Sequence, residues 1–275
     1  MVPTVDPRPG TVLRPMSGLP LVSMLAWASR IPYAIAAGIP GLVILALVEH
    51  TDSRSREPRW LLRRVTLLGA LTVLPVLAIE VALALAGLPV RGHDAWSVAL
   101  ASVVVAALPE EVGKAACLTW IMARRVAFES RRDGVRYGAR IGLGFALVEN
   151  VLHGLMIGDA RSFALLMAAR AVLTVPMHAA WAALMGGYAA RRQLDGRGPG
   201  LAFGLAVAVL GHGLFNFGLG IAQLADARAD APGFVASIGL TLAVAFASLL
   251  AARRLVRNAT LSDAEVEAEA EANAD

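Results

Sequence analysis

The sequence predicts an all-α fold: a polytopic transmembrane helix bundle of about seven spans, with the N-terminus outside and the C-terminus cytoplasmic. Three observations lead there. Of 275 residues 57% are hydrophobic and the mean hydropathy is +0.63, far more apolar than a soluble domain of this length. Apolar stretches of about 20 residues recur, each long enough to cross a hydrocarbon core roughly 30 Å thick. The basic residues, finally, are partitioned between the two sets of loops. Segments 50–64, 124–140, 191–199 and 253–258 hold 17 of the 25 Lys and Arg residues, and segments 1–30, 88–95, 158–162 and 224–233 hold only 6. That asymmetry places the first set in the cytoplasm. It also accounts for a sequence pI near 10 without any nucleic-acid partner, because the arginines mark orientation.

Along the chain, segment 1–30 carries Pro3, Pro7, Pro9 and Pro15 and lacks the basic-then-apolar layout of a cleavable signal peptide. Its apolar part, 19–29, is too short to cross and suits the interface, so span 31–49 is expected to begin insertion. Beyond the basic loop 50–64, span 65–87 contains Pro75 and Glu80. Span 96–123 carries Pro109, Glu110, Glu111 and Lys114, the one lysine of the chain. Span 138–157 carries Glu149, Asn150 and His153, span 163–189 carries Arg170, Pro176 and His178, and span 200–223 carries His212 and Asn216. Span 234–252 closes a transmembrane unit covering 31–258. The segment 259–275, with Glu265, Glu267, Glu269 and Glu271, is acidic, of low complexity and expected to be a disordered solvated tail. The single cysteine, Cys117, excludes a disulfide framework and a Cys-based metal cluster, and is expected to pack as a small apolar residue.

Charge at the centre of a membrane span costs roughly 2.5–3.5 kcal/mol per residue on insertion scales. The buried set Glu80, Glu110, Glu111, Lys114, Glu149 and Arg170 must therefore be paired, protonated, metal-bound or wet. Lys114 stands four residues from Glu110 and three from Glu111, spacings that bring side chains together on a helix. His212 and Asn216 share a face at i and i+4. Glu110, Glu149, His178 and His212 each fall near the middle of a different span, as a shared buried cavity requires. Each has a plainer reading: a structural ion network, a helix bridge, or ordinary interhelical hydrogen bonds. Their joint occurrence at one depth weakens those readings. Pro109 and Pro176 precede Glu110 and His178 and are expected to kink their helices and free carbonyls. Glu80 has no partner identifiable in the sequence.

The stretches Glu110-Glu111-Val112-Gly113-Lys114, Gly142 to Asn150, Pro176-Met177-His178-Ala179-Ala180-Trp181 and His212-Gly213-Leu214-Phe215-Asn216 resemble, in order, the motifs of the PrsW family of intramembrane proteases. The resemblance covers about 95–220. This family looks related to the CAAX prenyl endopeptidases, which share the paired glutamates and a late His-x-x-x-Asn. Phe145-x-x-x-Glu149 favours the PrsW branch, whereas His153 stands where a tyrosine is expected in many members. The resemblance implies an intramembrane endopeptidase acting on a membrane-anchored protein, with an anti-sigma factor as the suggested substrate.

Peptide hydrolysis requires a water, a base and groups that stabilise the oxyanion. The expected general base is Glu110, with Glu111 paired to Lys114. His178, His212 and Asn216 would position water and stabilise the oxyanion, Glu149 would orient a histidine or the water, and Asn150, His153 and Arg170 would support them. Glutamate chemistry without a metal is preferred because no HExxH pair is present. Zinc is the alternative, with Glu110, Glu149, His178 and His212 as possible ligands. Two readings from other classes are an ion or proton channel or transporter, against which stands the lack of an inverted repeat, and a non-catalytic scaffold that binds transmembrane helices.

Overall fold

The computed structural model describes residues 28–51, 57–123 and 129–273, and among these every regular element is helical. In chain order they are α1 (Ile31–Thr51), α2 (Arg59–Leu71), α3 (Val73–Leu85), α4 (Ala95–Ala99), α5 (Leu108–Ala123), α6 (Arg131–Met156), α7 (Ala160–Ala169), α8 (Val175–Asp195), α9 (Gly200–Ala227) and α10 (Ala231–Ala272). A π-helical segment, Leu100–Ala107, joins α4 to α5, and a second, Arg170–Thr174, joins α7 to α8, so each pair runs as one long rod.

Six of these rods are long and apolar enough to cross a membrane. The expected span 65–87 largely coincides with one of them, Arg59–Leu85, interrupted at Thr72, whose hydroxyl donates to the Gly69 carbonyl at 2.6 Å before Pro75 enters the first turn of α3. The expected fourth span, 138–157, falls almost wholly in α6, which is too polar to meet that description. Its 26 residues still cover about 39 Å. The reason it can be polar is its position: α6 packs chiefly against α8, α1 and α2, and these neighbours cover it. Arg140 and Asn150 are buried there without facing lipid.

Glycine permits the closest of these contacts. A methyl group at Gly138 would lie 2.0 Å from the Ala182 carbonyl oxygen, and one at Gly142 only 2.1 Å from that of His178. The backbones of α6 and α8 therefore touch, as small residues allow in membrane bundles. Bulkier residues complete the core beside this seam, with Tyr137, Ile141, Met177, Trp181 and Leu184 all buried. Cys117 packs in the same core, as its small apolar character suggests.

The N-terminal segment is described only from residue 28, so the proline-rich stretch lies outside the described residues. At the other end the structure departs from the expected coil, because α10 remains helical to Ala272. Asp263 explains part of this. Its carboxylate accepts the backbone N–H groups of Arg131 and Arg132 at 3.0 Å each and their guanidinium groups at 3.3 and 3.1 Å, docking the end of α10 on the start of α6.

Candidate active site

Four helices deliver polar side chains to one buried place. The first turns of α5 supply Glu110, Glu111 and Lys114, α6 supplies Glu149, Asn150 and His153, α8 supplies His178, and α9 supplies His212 and Asn216. Arg170 joins them from the start of the second π segment. Glu111, Lys114, Asn150 and His178 have no exposed surface.

Lys114 holds the centre. Its ammonium donates to Glu111 Oε1 at 2.7 Å and to His178 Nδ1 at 2.8 Å, lies 3.7 Å from Glu110 Oε2, and sits 4.3 Å from the centroid of the Phe145 ring. An ammonium can only donate, so Nδ1 of His178 must accept, which leaves the ring proton on Nε2. That nitrogen faces Glu149 Oε2 at 2.8 Å, close but too bent for a hydrogen bond. His212 approaches from the other side, with Nδ1 2.8 Å from Glu111 Oε1. Glu149 is itself held by Arg170, 2.8 Å away, and by His153 at 3.2 Å, while Arg170 Nε donates to the Asn150 amide oxygen.

The bundle brings together the ionisable and amide side chains expected at the site, and adds Phe145 beside Lys114. The partition differs in one respect. Among the described residues, the donors that converge within 4.8 Å of one another are those of Glu110, Glu111, His178 and His212. Glu149, expected among the possible ligands, instead backs His178 on its far side. The set has the donor types of a zinc site, two imidazoles and two carboxylates, all buried, with Glu110 Oε2 and Glu111 Oε2 lacking hydrogen-bond partners, while the His178 Nδ1 lone pair is taken by Lys114.

A cavity of about 810 Å³ opens onto this cluster. Glu110, Glu149, His178, His212 and Asn216 form part of its wall, and Arg91 and His93 of the loop after α3 line it too. Its size is that of a ligand pocket. The site roles of Trp181 and Ser248 escaped the sequence reading, and Glu80, recognised as a charge without a partner, was not placed at the site. Glu80 lines the same cavity. Trp181 stacks on His212, centroids 4.7 Å apart and planes 13° from parallel, and its indole N–H donates to Ser248 of α10 at 3.0 Å. Trp181 did carry a signal, lying three residues after His178 and so on the same helix face; Ser248 carried none.

A model of the PrsW family, whose description is intramembrane metalloprotease, matches residues 57–251, well beyond the 95–220 of the motif resemblance. Protease PrsW of Oceanobacillus iheyensis is 31% identical over 186 residues, covering 66% of this chain and 81% of that protein. Protease PrsW of Bacillus subtilis is 30% identical over 187 residues, with the same two shares, and that of Geobacillus kaustophilus is 33% identical over 155 residues, covering 56% and 64%. No solved structure matches.

Proposed function

The chain belongs to the PrsW family of intramembrane metalloproteases, an integral multi-pass membrane protein, and we propose that it cuts membrane-anchored proteins at the cavity where Glu110, Glu111, Glu149, His178 and His212 meet. One observation carries this reading. Four buried His and Glu donors from three helices converge within 4.8 Å beside a cavity large enough for a stretch of peptide.

Each side chain has work that suits its placement. Glu110 faces the cavity with a carboxylate oxygen free of hydrogen-bond partners, so it can accept a proton from water. Glu111 lies behind it and is committed to Lys114 and His212, which fixes the orientation of the His212 ring. Lys114 sets the tautomer of His178 and offsets the charge of the paired glutamates. Glu149, anchored by Arg170, steadies His178 from the opposite edge. Asn216, one turn beyond His212 on the cavity wall, offers amide donors to a developing oxyanion. The residues that would hold a divalent ion are Glu110, Glu111, His178 and His212. When bound, such an ion supplies Lewis acidity to the scissile carbonyl and to water.

A second reading is favoured by Lys114. Its ammonium lies within 3.7 Å of three members of that donor set, where a cation is wanted, so it can itself balance Glu110 and Glu111 in metal-free glutamate chemistry. Both readings keep the same residues and the same reaction. The substrate to test first is a membrane-anchored anti-sigma factor.

The experiment uses purified protein in liposomes with tagged single-span substrates. Wild type should cleave, and Glu110→Gln and His178→Ala should each lose at least about a hundredfold in rate. Chelation followed by zinc, together with the metal content of the purified protein, separates the two chemistries: loss and recovery with near-stoichiometric metal supports the ion, and chelator-resistant cleavage by metal-free protein supports glutamate alone. Intact substrate accompanied by proton or ion flux would sink both.

A further inference from the structure

We infer that Glu80 is a specificity-determining residue, a subsite that receives a Lys or Arg side chain of the membrane-anchored substrate beside the bond to be cut. This rests on the peptidase reading above and adds the substrate chemistry to it. The helix α3 turns one face toward the cavity, with Val73, Val76, Leu77, Glu80, Val81 and Ala84 all in its wall. Their spacing of three and four residues is that of a single helical stripe. Glu80 is the one polar member of that stripe, in the same cavity as Glu110, Glu149, His178 and His212.

Its environment differs from that of the other carboxylates there. Glu111 has Lys114 and His212, Glu110 has Lys114 at 3.7 Å, and Glu149 has Arg170, His178 and His153. Glu80, among the described residues, has no hydrogen bond and no ion pair, although it is half-buried inside a membrane-spanning rod. An unpaired carboxylate at such a place is met only by a proton or by water in the cavity, and an entering cation can replace either. The cavity wall carries three carboxylates, Glu80, Glu110 and Glu149, against two guanidinium groups, Arg91 and Arg170. Arg170 is already bound to Glu149 and Asn150. With Glu111 and Lys114 behind the wall included, four carboxylates meet three fixed cations, so one negative charge is in excess, and a substrate cation both neutralises Glu80 and fixes which peptide bond lies over Glu110.

The test is a peptide series in proteoliposomes: one single-span host in which a lysine is moved position by position near the cleaved bond, each with its alanine partner. Binding is followed by fluorescence anisotropy of labelled peptide, and cleavage separately. Wild type should favour lysine over alanine at one register by about tenfold or more in kcat/KM and in affinity. In Glu80→Gln that ratio should fall to about one, and in Glu80→Lys the preferred residue at the same register should become Asp or Glu. A lysine preference that both variants retain, or a wild type indifferent to lysine at every register, overturns the inference. If no peptide is cut but the variants abolish or invert a lysine preference in binding, the subsite stands and the peptidase reading falls.

Discussion

A lysine without exposed surface needs its charge met on the spot, and Lys114 meets it three ways: with Glu111, with His178 and with the face of Phe145. Removing one partner of a buried ion pair is expensive, about 3–5 kcal/mol, because the other charge stays behind unpaired. Lys114→Met should therefore lower the thermal midpoint of the detergent-solubilised protein and abolish cleavage, and a variant that melts and cleaves like wild type would remove Lys114 from the centre of the site. The residues around it were legible for a simple physical reason. An ionisable side chain in an apolar span contrasts with everything near it, so Glu110, Glu111, Glu149, His178 and His212 could be picked out and even set at one depth. Trp181 and Ser248 offer no such contrast, since an aromatic ring or a hydroxyl belongs in any membrane helix. Their bearing on His212 appears only once α8, α9 and α10 are packed together. Glu80 was visible as a charge, yet its company lies on other helices.

At the scale of the element, the two prolines behave alike. Pro109 and Pro176 each follow closely on a π-helical segment, Leu100–Ala107 and Arg170–Thr174, and each lies just before a site residue. Proline has no N–H to donate and its ring crowds the carbonyl four residues earlier, here Val105 and Val172, both within the widened turns. The wide turn accommodates what an α-turn would not, and it sets the rotation at which Glu110 and His178 emerge. From proline alone a kink is expected; the structure has a wide turn within a continuous rod instead, and that depends on how the rod is held by its neighbours. Pro176→Ala restores the donor and lets the rod close as ordinary α-helix. Cleavage should fall by roughly tenfold or more while the thermal midpoint stays level or rises, and a parallel fall of both would assign Pro176 a purely structural part.

At the scale of the whole molecule, the site belongs to no single segment of the chain. Residues from 110 to 212 meet because α6, too polar to face lipid, is surrounded by helices that can. That arrangement was the least legible part of the sequence. Hydropathy marks what lipid can touch, and it says little about a helix shielded from lipid on its flanks. The seam between α6 and α8 is the sharpest instance. Gly142 lies directly against the carbonyl of His178, and Glu149, seven residues further along α6, faces the ring of the same histidine. Gly142→Ala would press these helices apart near the reacting groups. A misplacement of about 1 Å can cost a hundredfold in rate, so activity should collapse while circular dichroism still reports a fully helical protein. The missing side chain at position 142 is thus part of the enzyme's tolerance: the spacing on which the chemistry depends is gauged by bare backbone against bare backbone, with no flexible group between them to absorb an error.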